Sequence, residues 1–319
     1  MICKFDFPPA ASTNCTTETR SALRKLLRFA QALRIFRDSV VIILAGTMLG
    51  MTSVSAMPVH LVPNRATYDL RLEHTSPGGA VTARGRMIIQ FRDTCDGWST
   101  AQRTILDITD ADGAIARSDY VVTAWESKDG KSMRFDVKNA SGGKLDKEKR
   151  GTAMLASGGD ALVNLLAPKR RQFALPGGTV FPTAQTVALL AAADRGQQTS
   201  KRLVFEGGDE GDVYVSTAVI GRLASSQATI ADRAVDKAGL IRNVPAWGVL
   251  VSYFDNKPGN ELPEYEIATR LYANGISGSM SLIYARYALK ATLTRLEPLA
   301  PTCPPSRDSD TRPEAAQQR

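Results

Sequence analysis

The chain has 319 residues, 43% of them hydrophobic and 23% charged, with a formal net charge of +8. This is a globular composition with ample apolar content for a sizeable core, in one large β domain or two smaller ones. Residues 1–56 hold seven Lys/Arg against three Asp/Glu, leaving 33 against 29 for the rest, an excess too mild to point to nucleic acid.

The start reads as an export leader. "RSALRKLLRFAQALRIFR" is basic, "VVIILAGTML" (40–49) is an unbroken apolar run, and "VSA" (54–56) offers small residues for cleavage between Ala56 and Met57. The other reading is an uncleaved anchor, for which residues 39–57 lie near the lower length limit for a bilayer span. We therefore expect a signal peptide over 1–56, a β domain over 57–303 and a disordered polar tail over 304–319.

The mature segment is dominated by a period of two. In "ATYDLRLE" (66–73), Ala66, Tyr68, Leu70 and Leu72 share one face; in "VTARGRMIIQF" (81–91), Val81, Ala83, Met87, Ile89 and Phe91 do so. "SMRFDVK" (132–138), "DVYVSTAVI" (212–220) and "EYEIATRLY" (264–272) alternate in the same way. Such runs are half-buried antiparallel strands with one wet face. Turn signals such as "TSPGG", "RDTCDG", "DADG", "SKDG" and "DNKPGN" separate them. The spacing predicts one large meandering antiparallel sheet curled into an open barrel.

Two helices are predicted within it. "GGDALVNLLA" (158–167) has Asp160 as a cap and stops before Pro168. "PTAQTVALLAAADRG" (182–196) has Thr183 as a cap and Gly196 after its last turn.

The chemistry-bearing motifs are few. His60 and His74 lie near the mature start with no ligand spacing around them and read as exposed. No G-x-S-x-G, H-E-x-x-H, Walker loop or G-x-G-x-x-G occurs in the chain. "DADG" (110–113) resembles the start of a calcium loop, but Val121 stands where the closing Glu belongs, so it reads as a plain turn. "EGGDEGD" (206–212) reads as a solvated hairpin tip, with a loose Ca²⁺ site as the alternative, and "KLDKEKR" (144–150) and "PKRR" (168–171) read as exposed loops, with weak attraction to an anionic membrane surface as theirs. The tryptophans and tyrosines read as core or sheet-face packing, with an apolar groove as the alternative. We expect no catalytic residue, metal site or cofactor.

Cys3 and Cys15 fall in the leader, leaving Cys95 and Cys303. In an oxidising compartment a bridge between them is the default, with free thiols or an intermolecular pair as alternatives. Cys303 sits in the Pro-rich "LEPLAPTCPP", a place that suits a clasp better than a core. Closing the 208-residue loop between them would give roughly 5 kcal/mol as an upper figure.

Five segments occur in order: "LVPNRATYDLRL", "GRMIIQFRDTCDGW", "LPGGTVFPT", "VFEGGDEGD" and "LPEYEIATRLYANGIS…LKATLTRLEPL". As a set they resemble the cell envelope integrity EipB family of alphaproteobacterial periplasmic proteins, over most of residues 57–303. The resemblance implies a single periplasmic domain in a spiral-like open barrel with a few short helices. It also implies a disulfide at the positions of Cys95 and Cys303, and a role in envelope integrity without enzymatic activity. The chain departs at Gln185, where a His is expected, and at "IYARY" (283–287), which lacks an expected Gly-acidic pair. Three functions follow as expectations: a non-enzymatic adaptor for a periplasmic protein partner such as a TPR-repeat protein, a lipid or lipoprotein carrier with an apolar groove, and a hydrolase of envelope polymers. No nucleic acid is expected as a partner.

Overall fold

The structure, a computed structural model, describes residues 59–300 and 302, apart from 78, 157–160, 224–229, 258 and 260. The leader with its Ala56–Met57 junction, the tail and Cys303 lie outside the described residues, as does Asp160.

The first eight strands form a continuous meander. They are β1 (Asn64–Thr75), β2 (Thr82–Asp93), β3 (Gly97–Thr109), β4 (Ile115–Ser127), β5 (Ser132–Ser141), β6 (Lys144–Leu155), β7 (Ala161–Ala167) and β8 (Arg171–Leu175). The chain then makes the short β9 (Thr179–Val180) and the helix α1 (Pro182–Asp194). A second meander follows: β10 (Thr199–Phe205), β11 (Val213–Arg222), the helix α2 (Ile230–Val235), β12 (Ala246–Asp255), β13 (Tyr265–Tyr272), β14 (Ser277–Tyr284) and β15 (Tyr287–Pro298).

Pairing of β1 with β15 joins the two meanders into one sheet of fifteen strands, with β8 and β9 at its ends. The sheet curls nearly into a barrel and leaves a seam between those ends. All pairings are antiparallel except β9–β10. The expected open, mainly β architecture is the observed one.

The period of two explains the curl. Ala66, Tyr68 and Leu70 of β1 are buried, as are Ala83 and Met87 of β2 and Met133 of β5, while the alternate residues carry charge to solvent. A sheet with one apolar face and right-handed twist covers that face by closing on itself. Val81 departs from its expected face: it precedes β2 and is exposed.

The structure corrects four local readings. Residues 161–167 are strand β7, not a helix. Ala161, Val163, Leu165 and Ala167 are buried while Leu162 and Leu166 are exposed, so the run has a strict two-residue period that its Leu- and Ala-rich composition hides. Unpaired backbone on β6 and β8 decides the outcome.

The second correction concerns α1. Its N-cap is Phe181 with no side-chain cap, because Pro182 opens the helix and Thr183 lies inside it. The third is that residues 144–150 begin β6 rather than a loop, with Lys149 opposite Val137 of β5. The fourth, the fate of residues 206–212, is described with the seam. Helix α2 has too little periodicity to be read from sequence.

Candidate functional site

Helix α1 lies against the inner face of the curl. Thr183, Gln185, Leu189 and Leu190 are all buried. The Thr183 N–H donates to Glu126 Oε2 at 2.9 Å and its hydroxyl to Oε1 at 2.8 Å. The Gln185 amide donates to Ser216 Oγ at 2.5 Å, and the Tyr253 hydroxyl donates to Gln185 Oε1 at 3.4 Å. One helix is thereby tied to β4 of the first meander and to β11 and β12 of the second. Gln185, the departure from the expected His, serves as such a tie.

Glu126 follows Val122 and Ala124 in phase on the inner face of β4. Burial pushes its carboxyl up from the ordinary value, while the Thr183 bonds pull it back. The positive end of α1 lies against it, which suits a carboxylate.

Beside this contact lies a hollow of about 130 Å³. Its walls are mostly apolar, including Leu61, Ile89, Phe91 and Ile276, with Glu126 and Thr183 among its polar lining. A cavity of that size matches one aromatic ring or a few waters.

Two more carboxylates, one half-buried and one fully buried, also hold the fold. Glu206 accepts the Tyr265 hydroxyl at 2.7 Å, and burial raises its pKa. Asp232 of α2 is fully buried; it meets Arg270 at 2.9 Å and accepts the Ser279 hydroxyl at 2.6 Å.

A transverse ladder of tyrosines crosses four strands: Tyr253, Tyr265, Tyr284 and Tyr287 oppose one another in register. Tyr253 and Tyr265 stack at 4.5 Å, and Tyr214 meets both edge-on. The inward tyrosines are core.

At the seam, residues 206–212 fold over the other meander instead of projecting into water. Gly207 has φ +89° and packs so close to Phe135 that a Cβ would sit 2.9 Å from that side chain. Lys149 of β6 reaches Asp212 at 2.6 Å and Asp209 at 3.2 Å, and Arg171 of β8 reaches Glu210 at 3.3 Å. Beneath these ion pairs Phe205 packs edge-on against Phe135 and Phe173. Burial raises Asp212 despite Lys149. For Asp209 the same burial is outweighed by Lys149, which holds that carboxyl below its ordinary value. The seam is a hydrophobic contact under a charged latch.

Cys95 sits in the turn between β2 and β3 with φ +70°, a left-handed geometry that an Asp93 carboxylate stabilises by accepting the Cys95 N–H at 3.0 Å. Trp125 donates to Thr94 at 3.0 Å, and Lys128 pairs with Asp93 at 2.8 Å while lying over the Trp98 ring. The Thr302 hydroxyl donates to the Asp93 carbonyl, bringing the end of the described chain to this turn. His60 and His74 are exposed, as expected, and residues 110–113 form an Asx turn in which Asp110 accepts from Asp112 and Ala114.

Sequence reasoning missed Glu126 and Asp232, and placed Glu206 in a solvated tip where the structure pairs it with Tyr265. For Glu126 a signal was present: an acid in phase with the apolar positions of a strand. Glu206 and Asp232 stand outside any alternating run.

The fold and interior define a barrel-like β protein whose two meanders are joined through its first and last strands, with a helix tied to the inner face of the curl. The model of the EipB-like family matches residues 55–300, and the chain belongs to that family. It is 30% identical over 274 residues to the cell envelope integrity protein EipB of Brucella abortus (strain 2308), covering 85% of this chain and 95% of the relative. It also matches the crystal structure of a β-barrel-like protein of domain of unknown function DUF1849 from Brucella abortus. That match has a TM-score of 0.69 and 31% identity, and covers 76% of this chain and all of the other.

Proposed function

We propose that this chain is an exported, non-enzymatic protein that supports cell envelope integrity by binding a protein partner in the periplasm. A TPR-repeat protein is one candidate partner. The observation that carries the reading is the commitment of the interior carboxylates. Glu126 holds α1, Glu206 holds Tyr265, and Asp232 holds Arg270 and Ser279. Each acts as structural glue, so the outer surface is left as the working part. The relative named for envelope integrity supports the same role.

The hollow of about 130 Å³ favours a protein partner over a lipid cargo, because an acyl chain would need the interior to open. The proposed clasp between Cys95 and Cys303 fits an oxidising compartment, and the Thr302–Asp93 contact supports it. The test is deletion and complementation. Cells lacking the protein are expected to become sensitive to detergent and to wall-directed antibiotics, and the wild-type gene to restore resistance. A deletion strain as resistant as its parent overturns the proposal.

A further inference from the structure

The sheet ends at β8, and among the described residues no strand pairs with the outer side of β8. The other end is β9, two residues long and parallel to β10, so the ends do not join as a ladder. Pro176 and Gly178, the latter at φ +79°, turn the chain away from β8 toward α1. Gln172 and Ala174 of β8 are exposed.

On the outer face an apolar row runs up to this edge. Met154 of β6 lies opposite Leu162 of β7, which lies opposite Ala174 of β8. Met154 is 60% exposed and Leu162 44%, with Leu166 equally exposed further along β7. Outward-facing apolar side chains in adjacent strands, ending at an unpaired edge, offer packing for one more strand.

Charge sets the preference. Lys169 and Arg170 are exposed just before β8, and Arg171 opens it. Arg150 stands exposed on β6 beside Ala167, and Glu210 is the acid that meets this group, through Arg171. Basic residues often guard sheet edges against pairing. Here they stand at one end, and the remaining edge from Gln172 to Leu175 carries no charge.

We propose that the β8 edge takes up an extended acidic peptide of another protein as a sixteenth strand. This rests on the partner-binding reading above and names the surface it uses. The added strand runs antiparallel to β8, as β7 does, so its acidic residues lie toward its C-terminal end, beside residues 169–171. Its outward side chains are apolar at every second position and extend the row of Ala174, Leu162 and Met154. Main-chain bonds supply affinity, and the basic end supplies selectivity.

The mature chain and an eight-residue peptide of alternating threonine and valine ending in two glutamates test this. A peptide ending in two lysines is the control. Fluorescence anisotropy is expected to show the acidic peptide binding about tenfold tighter than the basic one at low salt. Amide hydrogen exchange is expected to slow across Gln172–Leu175. Ala174→Lys, a charge in the middle of the edge, is expected to abolish binding. Lys169→Glu with Arg170→Glu is expected to reverse the preference, and it carries the test alone if Ala174→Lys shifts the melting curve. Protection elsewhere on the sheet, binding indifferent to these substitutions, or a dimer of the chain that Ala174→Lys dissolves would each overturn the proposal. In cells, a sensitive deletion strain fully rescued by the Ala174→Lys protein sinks the edge alone, whereas a resistant deletion strain sinks the envelope reading itself.

Discussion

Thr183 and Glu126 are joined twice, by the main-chain N–H at 2.9 Å and by the hydroxyl at 2.8 Å, so a residue of α1 is fixed to a residue 57 positions away on β4. Removing the acid would strand both donors in the interior. Glu126→Ala is expected to cost about 2–3 kcal/mol of stability, read by denaturant or thermal unfolding. Glu126→Gln keeps an acceptor and is expected to cost much less. Equal losses in the two variants would show that the carboxyl group matters for its volume and not for its bonds.

The same residue makes stability depend on pH. Burial raises the Glu126 carboxyl above its ordinary 4.5, and Glu206 is raised in the same way. A carboxyl with a raised folded-state pKa costs nothing below its unfolded value. Its cost grows as pH climbs from there through the folded value and is constant above it. The melting temperature of the wild type is therefore expected to fall relative to Glu126→Gln as pH rises from about 4.5 toward neutrality. A difference that stays constant over that range counts against a buried, titrating Glu126.

The seam latch is open to test by substitution. Lys149→Ala leaves Asp209 and Asp212 facing each other with their shared cation gone, and is expected to cost about 1–3 kcal/mol. Asp212→Asn, which keeps the shape, is expected to cost less. Glu210→Ala should be nearly silent, since its pair with Arg171 is largely exposed. Gly207→Ala is expected to be more damaging than Glu210→Ala, because it meets both the positive φ and Phe135. A Lys149→Ala protein that melts with the wild type would remove the latch from the account.

For the clasp, intact mature protein is expected to show no reactive thiol until reduced. Cys303→Ser is expected to lower stability by a few kcal/mol, up to about 5. Alkylation of both Cys95 and Cys303 in native, unreduced protein would exclude the bridge. N-terminal sequencing of the exported protein is expected to begin at or close to Met57, and a leader retained in the membrane fraction would replace export with anchoring.

Much of the sheet was legible because water marks it. Tyr68 and Leu70 alternate with Asp69 and Arg71, and a strand with one wet face has no other way to arrange them. β7 was not legible as a strand, since neighbours on both sides supply its hydrogen bonds and its exposed positions are leucines. Residues 206–212 look like a tip because glycines and acids favour turns. What draws them inward is Lys149, about 60 residues earlier, and no local pattern announces that meeting. The left-handed backbone of Cys95 and its Asp93 support needed the structure, since no pattern in the sequence marks them.

The pairing of β1 with β15 has a consequence for how the chain could be rewired. Asn64 lies opposite Pro298, so the beginning and end of the folded sheet are neighbours in its middle, while the free edges fall halfway along the sequence. Joining those neighbours through a short linker and opening the chain between β8 and β9 would produce a circular permutant whose strands run 9 to 15 and then 1 to 8. In that order every strand would pair with its immediate successor. The one union that now waits for the last strand to be made would become an ordinary hairpin. Such a permutant should refold faster than the natural order while reaching the same sheet.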